Sequence, residues 1–530
     1  MNREYKEKLS RQIEKNFSDL EMRIMEDIVR RIKKAGKITS TADWQINRLR
    51  ILGNSSEDIE KMLKEVLEAS YPEMFELYDQ VIDWEYVRNK DIYEQINAKY
   101  IPYEENGQLQ QITNALIQQT DADLQNITQS LGFYLDYGGE KPVITPLAEV
   151  YQKYLDAACM DIISGAFDYN SVLRRVVTQL TNSGLRQIDY ASGRANRIDV
   201  AARRAVMTGI TQLTGKISDM NAEKLGTNYF EIAWHAGARP THAVWQGKVW
   251  SREQLVTVCG LGTVTGLEGA NCYHERYPFI PGITERNWTD EWLEEQNRKE
   301  NTPKEFKGKE YTLYEAKQRQ RQMETAMRAQ REKVQLLKTG GADPEEITVA
   351  RAKYQGQLNE YAGFSKTMGL KQERERIYYD QRGRVALPND KQKEIAAHLE
   401  SMYNKGDLLK NVNLYEKDVS LRRKIKAGQI STNIESGKQG KHIMGHNNYI
   451  PGRSYLTISE DQVQNLVQKY AGTGWIRRDG NERWSHKEII TADKIIGVVV
   501  DPLTGEKKET RKFVIHYSKK GVHIVPCKEG

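Results

Sequence analysis

Apolar residues recur every three or four positions over the first 35 residues. Leu9, Ile13, Phe17, Leu20, Ile24, Ile28 and Ile32 form the stripe of an amphipathic helix expected to stop near Gly36. A second helix is predicted after Ser55-Ser56, where a hydroxyl can cap and Glu57-Asp58 favour the positive end of the helix dipole; helical patterning continues to about residue 130. Gly138-Gly139, Pro142 and Pro146 break it, so Tyr134 to Pro146 reads as a loop. From about 147 to 224 the period is helical again, with Val206, Ile210, Leu213, Ile217 and Met220 as a buried seam. Tyr229 to Gly282 differs: it is rich in Gly, His and Trp, and four glycines within 260–269 exclude a regular helix. Residues 311–338 and 345–378 read as two polar helices separated by Gly340-Gly341-Ala342-Asp343-Pro344, a helical hairpin with mostly solvated faces. A charged helix and linker follow over 389–430, and beyond Gly437 short β-branched runs alternate with Gly and Asn turns. Boundaries are expected near 140, 290, 385 and 432, giving a multidomain chain of segments 1–140, 141–290, 291–385, 386–431 and 432–530.

A length of 530 residues fits two to four structural units at roughly 100–200 residues each. The longest aliphatic run, Ile495-Ile496-Gly497-Val498-Val499-Val500, is far short of the roughly 20 residues that span a bilayer, so no membrane span is expected. The opening Met1-Asn2-Arg3-Glu4-Tyr5-Lys6 lacks the order of a signal peptide, and Cys159, Cys259, Cys272 and Cys527 are too scattered for a disulfide framework. Both point to a reducing, cytoplasm-like compartment. Net charge is +6, too weak alone to argue for nucleic acid. Its distribution changes that picture. Residues 431–530 hold 16 Lys and Arg against 11 Asp and Glu, and five of the nine histidines.

Between 235 and 274 lie His235, His242, Cys259, Cys272 and His274. Zinc takes four N or S ligands in a tetrahedron, and glycine-rich loops can bring such groups together. A structural zinc on Cys259, Cys272, His274 and an upstream histidine, His242, is one expectation. The competing one is a compact loop core in which the same side chains pack and hydrogen-bond, since no C-x-x-C pair is present. Ala238-Arg239-Pro240-Thr241-His242, Gln246-Gly247, Cys259-Gly260, Gly266-Leu267, Asn271-Cys272-Tyr273-His274 and Pro278-Phe279-Ile280-Pro281-Gly282 together resemble the signature of the phage minor capsid protein 2 family. The hairpin with Gln318-Arg319-Gln320-Arg321-Gln322 and Gly340-Gly341 is similar to that family as well, so the resemblance covers about residues 1–385. It implies a virion-associated structural protein near the head and portal of a phage or prophage, partnered by portal and capsid proteins, with no catalysis in this part.

The tail contains different chemistry. Residues 437–454 place Lys438, Lys441, His442, His446, Arg453 and Ser454 within eighteen positions. Metal-independent RNA cleavage needs a base for the 2′-hydroxyl, an acid for the 5′-oxygen and a cation for the phosphorane charge, and His, Lys and Arg suit those tasks. A basic loop that binds phosphate without chemistry is the bland alternative. In Lys512-Phe513-Val514-Ile515-His516-Tyr517-Ser518, alternation puts Phe513, Ile515 and Tyr517 on one face and Lys512, Val514, His516 and Ser518 on the other. With a two- or four-residue loop at Ser518-Lys519-Lys520-Gly521, His516 faces His523 across a hairpin; a one-residue bulge would destroy that pairing.

Gly437-Lys438-Gln439, Lys441-His442-Ile443, Asn448-Tyr449, Gly452-Arg453-Ser454, Gly472-Thr473-Gly474 and Tyr517-Ser518-Lys519 with Gly521 and His523-Ile524-Val525-Pro526 resemble the bacterial polymorphic toxin type 50 domain over about 432–530. The resemblance implies a small α+β ribonuclease of the barnase, EndoU, colicin and RelE kind, helices packed on an antiparallel sheet, RNA as substrate and no metal cofactor; a nuclease toxin that its producer survives also needs an inhibitor, so an immunity protein is an expected partner. On that reading His442 is general base or acid, His523 or His516 its counterpart, and Lys441 and Arg453 are phosphate or transition-state ligands. Ser454 and Ser518 bind phosphate or orient a histidine, and Lys438, His446 and Lys512 complete the substrate-binding set. His486 is left structural. Two rival readings stand beside it: a purely structural capsid or portal-associated protein whose basic tail grips nucleic acid, and a secreted toxin using a prophage-derived front part for export.

Overall fold

The structure is a computed structural model that describes residues 3–38, 55–87, 90, 93, 99–189, 193–378, 383, 385–403 and 406–529. Parts of the helical patterning expected up to residue 130, over 39–54 and around 88–98, lie outside the described residues, as do the Ser55 and Ser56 side chains. The chain divides into two compact units, Met1–Gln392 and Lys393–Gly530.

The first unit is built on long helices. After a short helix, Arg3–Leu9, α1 (Arg11–Ala35) buries the stripe read from the sequence, and Gly36 caps it. It is followed by α2 (Ser55–Glu85), α3 (Gly107–Gln129), α4 (Tyr169–Ser183), α5 (Ile198–Leu225), α6 (Leu313–Gly340) and α7 (Pro344–Met368). Helix α1 packs against α2, α5 and α6, so Phe17, Ile24, Ile28, Val206, Ile210, Leu213, Met327 and Leu337 share a single core. The divisions expected near 140 and 290 lie inside this unit. Strands β1 (Leu131–Leu135), β2 (Val143–Pro146), β3 (Arg186–Asp189) and β4 (Arg194–Arg197) form an antiparallel sheet in the order β2-β1-β3-β4. The stretch expected as a loop is therefore a hairpin with a shorter turn: Phe133 and Leu135 anchor β1 in the core, but four or five residues of alternation are too few to stand out.

The helical hairpin is present, and its faces are more buried than their polarity suggests. Thr312 and Glu315 close a capping box at the start of α6, Gly341 stops it at φ 74°, and Asp343 with Pro344 opens α7. The second arm ends at Met368, earlier than its polarity suggested, because Gly369 takes a left-handed conformation at φ 70°. Met323, Met327, Val334 and Leu337 are buried, and so are Gln320, Glu324, Arg331 and Glu332. These polar groups read as a water-facing pattern in sequence but find partners inside. Arg197 bridges Glu21 and Glu332 at 2.9 Å each, and Tyr361 donates to Glu324 at 3.0 Å.

The Gly-rich segment holds a second sheet, β5 (Tyr229–Ile232), β6 (Val249–Ser251) and β7 (Arg276–Phe279), in the order β6-β5-β7, with the irregular backbone confined mainly to 258–275. A ribbon of β8 (Lys304–Phe306) and β9 (Lys309–Tyr311) precedes the hairpin.

In the second unit, α8 (Leu408–Lys426) belongs to the C-terminal core instead of acting as a free linker. Ile425 is buried there with Leu421 packed alongside, and Asp418, 1% exposed, pairs with Arg478 and accepts from Tyr403 Oη at 2.7 Å. Then come α9 (Ser436–Gln439), β10 (Tyr455–Leu456), α10 (Glu460–Tyr470), β11 (Trp475–Arg478), β12 (Trp484–Thr491), β13 (Gly497–Val500), β14 (Lys507–Thr510), β15 (Lys512–Ser518) and β16 (Gly521–Pro526). Two antiparallel sheets result, β11-β12-β15-β16 and β10-β13-β14. Val463 and Val467 of α10 pack with Ile476, Ile490, Phe513, Ile515, Tyr517, Val522 and Ile524, the α+β arrangement of helix on sheet.

Candidate active site

The outer edge of β16 is clamped by the segment before His442. Val522 N–H donates to Asn433 O and Glu435 N–H to Val522 O, each at 2.8 Å. Gln439, fully buried, then spans the Ile524 backbone: its Oε1 accepts from Ile524 N–H at 2.7 Å and its Nε2 donates to Ile524 O at 3.2 Å. One tight turn later, Gly440–His442, the chain presents His442 to His523, with ring centroids 6.3 Å apart and planes at 12°. Gly440 permits this turn because a Cβ there would meet His446 Nδ1 at 2.2 Å. Lys519-Lys520 form the turn of the β15–β16 hairpin, and Ser518 pairs with Gly521, so His516 lies opposite His523 in the register read from the sequence. Their rings stack at 4.7 Å and 24°.

The sheet extends this group. His516 pairs with Lys487 on β12, and Lys487 with Arg477 on β11. Residues directly opposite in antiparallel strands share a face. Arg477, Lys487, His516 and His523 thus form a row across all four strands, and His442 stands at its end. The sequence offered no signal for Lys487 and Arg477: their place in the row depends on the register of β12, which no local motif encodes.

His442 Nδ1 lies 2.8 Å from Ser454 O. A carbonyl only accepts, so Nδ1 carries the proton and Nε2 keeps a lone pair. Burial lowers the His442 pKa, assisted by Arg453 and Lys441. Burial pushes His516 and His523 down to about 4, with His523, Lys487, His442 and Arg477 adding to the effect at His516, and His442, Lys438 and Lys441 at His523. All three imidazoles are neutral at pH 7, in a strongly positive setting.

The remaining candidates separate. Lys438 pairs with Glu435 at 2.8 Å beside His523. Ser454 orients His442 through its carbonyl while its Oγ accepts from Val500 N–H at 3.1 Å. Ser518 Oγ donates to Gly521 O at 2.8 Å and closes the hairpin turn. His446 accepts from Asn448 N–H at 3.0 Å and packs on Gly440. Lys512 is not brought to the histidines: it pairs with Thr491 four residues from His516 along β15, about 13 Å away at strand rise. His486 is exposed and rests on Trp484. The sequence reading also missed Glu488, fully buried, which accepts from Gly472 N–H at 3.0 Å, Gly474 N–H at 2.6 Å and Tyr517 Oη. It fixes the Gly472-Thr473-Gly474 turn to the strand that carries His516.

The model of the family described as phage minor capsid protein 2 matches residues 1–362, more than half of the chain. The chain belongs to the phage minor capsid protein 2 family. A second model, bacterial toxin 50, matches residues 434–526, the segment that carries the three stacked histidines. Among curated proteins no match is found. This minor capsid family protein therefore carries a toxin-family module, as the two resemblances implied.

Within the capsid-family part, His242, Cys272 and His274 converge, their ligand atoms all within 4.8 Å of one another. Cys259 does not join them. Its backbone N–H is held by Gln254 O and its carbonyl by Leu267 N–H, and it is buried in the apolar cluster of Phe230, Ile232, Trp245 and Leu255. His235 rests its ring on His274 at 4.2 Å. No helix among the described residues is long and apolar enough to cross a membrane.

Proposed function

We propose that the protein is a virion-associated minor capsid protein whose C-terminal module is a metal-independent endoribonuclease. The observation that carries this reading is the stacked His442–His523–His516 group, with a lone pair on His442 Nε2 and a row of cations beside it. His442 Nε2 takes the proton of a 2′-hydroxyl, the 2′-oxygen attacks phosphorus, and the bond to the 5′-oxygen breaks. The bound anionic phosphodiester favours uptake of one proton from water by the His516–His523 pair, and His523 delivers that proton to the leaving 5′-oxygen. Lys441, Arg453, Lys487 and Arg477 offset the charge of the phosphorane, with Lys438 at the rim. The products are a 2′,3′-cyclic phosphate and a 5′-hydroxyl.

The front part supplies delivery. A structural protein that travels with portal and capsid partners into a bacterial cytoplasm raises the effective concentration of an attached nuclease at that place. A producing cell then needs an immunity protein that covers the histidine face. The test is digestion of total RNA by the full chain beside His442→Ala. Wild-type turnover that the variant loses supports the reading; RNA bound without turnover by either protein overturns it and leaves a nucleic-acid-binding capsid tail.

A further inference from the structure

His242, Cys272 and His274 are 2%, 3% and 1% exposed, and the hydrogen bonds behind them fix the tautomer of both imidazoles. His242 Nε2 lies 2.9 Å from Thr265 O, which can only accept, so Nε2 carries the proton and Nδ1 is a bare lone pair. His274 Nε2 lies 2.9 Å from Gln246 Oε1, and that amide cannot be turned round, because the same Oε1 accepts from His235 N–H at 3.1 Å. His274 Nε2 must therefore donate, and its Nδ1 is also a lone pair. The two lone pairs face each other at 3.3 Å inside the protein. With both imidazoles neutral the trio holds a single donor, the Cys272 thiol, which can serve one of them and leaves the other buried and unsatisfied. A hydrogen-bonded cluster does not account for this arrangement.

A cation does. With bonds of about 2.05 Å from nitrogen and about 2.3 Å from sulfur, tetrahedral zinc sets its ligands about 3.3 Å apart for two nitrogens and about 3.6 Å for nitrogen and sulfur. The separations here are 3.3 Å between the nitrogens and 3.5 and 3.9 Å from Cys272 Sγ to His274 and His242. Thr265 O and Gln246 Oε1 are the partners that metal-bound imidazoles use to hold their orientation. We infer that His242 Nδ1, His274 Nδ1 and Cys272 Sγ form a zinc centre, with a small ligand such as water in the fourth position. One thiolate and two imidazoles are a borderline-soft set suited to zinc over magnesium or calcium. The centre is enclosed, all three ligands being buried. It ties the short helix Pro240–Ala243 to the glycine-rich turns at 260–275, thirty and thirty-two residues away in sequence, where strands are absent.

The inference is independent of the nuclease. The full chain, exposed to zinc and desalted, is expected to retain close to one zinc per molecule by elemental analysis; retention of none overturns the centre. Because ligand variants can misfold, the second measurement uses wild type loaded with cobalt(II) in place of zinc. Ligand-field bands of four-coordinate cobalt with a thiolate-to-metal charge-transfer band are expected, kept in Cys259→Ser and with the charge-transfer band lost in Cys272→Ser. A spectrum of hydrated six-coordinate cobalt in wild type, or a charge-transfer band that survives Cys272→Ser, contradicts the assignment.

Discussion

On the proposed reading His442 acts through a nitrogen whose state is set by one backbone carbonyl, and one buried amide sets its position. His442→Ala removes the base and is expected to lower kcat by about 10²–10⁴-fold, with the circular dichroism spectrum unchanged. Gln439→Ala leaves the Ile524 N–H and carbonyl without their buried partner, so the C-terminal unit loses about 1–3 kcal/mol in urea denaturation, and turnover falls because His442 is no longer held against His523. At this scale much was legible. The histidines stood out by density, and alternation in 512–518 put His516 on the open face. Gln439 and Glu488 were not legible, because a buried amide or carboxylate is identified by the backbone it meets across the fold. Lys512 shows the converse: it shares a face with His516 in sequence, but four residues of strand separate them.

At the scale of elements, register decides which cations reach the site. Lys487→Ala, at the centre of the row, is expected to raise KM for RNA and make the dependence of log(kcat/KM) on log salt shallower by somewhat less than about one unit, with a smaller effect on kcat. The long helices of the first unit were readable because their apolar period persists over 20 or more residues, as in α1 and α5. The strands of three to five residues were not, and the polar hairpin misled. Arg331, Glu332 and Gln320 have the composition of a solvated face, and only the fold supplies Arg197 and the other arm as partners. Removing Arg197 would take from buried Glu21 and Glu332 the cation that bridges them. Arg197→Met is expected to cost about 3–5 kcal/mol, read as a fall in the unfolding temperature of the front unit.

For the whole molecule, two compact units with separate cores predict two calorimetric transitions. Acid should lower the C-terminal one. His516 and His523 titrate near 4 when folded and near 6.5 when unfolded, so between those values the unfolded state binds more protons. The C-terminal transition is fully stabilised by them above about pH 6.5 and moves to lower temperature as the pH falls from there towards 4. Zinc chelation should instead lower the transition of the front unit. The charge distribution fits this division: the last hundred residues hold most of the net +6 and the three imidazoles of the site, beside a nearly neutral capsid-family part.

Transesterification at the histidine group is reported directly by the ends of the cleaved RNA. The full chain digesting a defined oligoribonucleotide in the presence of a chelator should give 2′,3′-cyclic phosphate and 5′-hydroxyl ends. Products with 5′-phosphate and 3′-hydroxyl ends, or equal cleavage of an oligonucleotide that lacks 2′-hydroxyls, would contradict it.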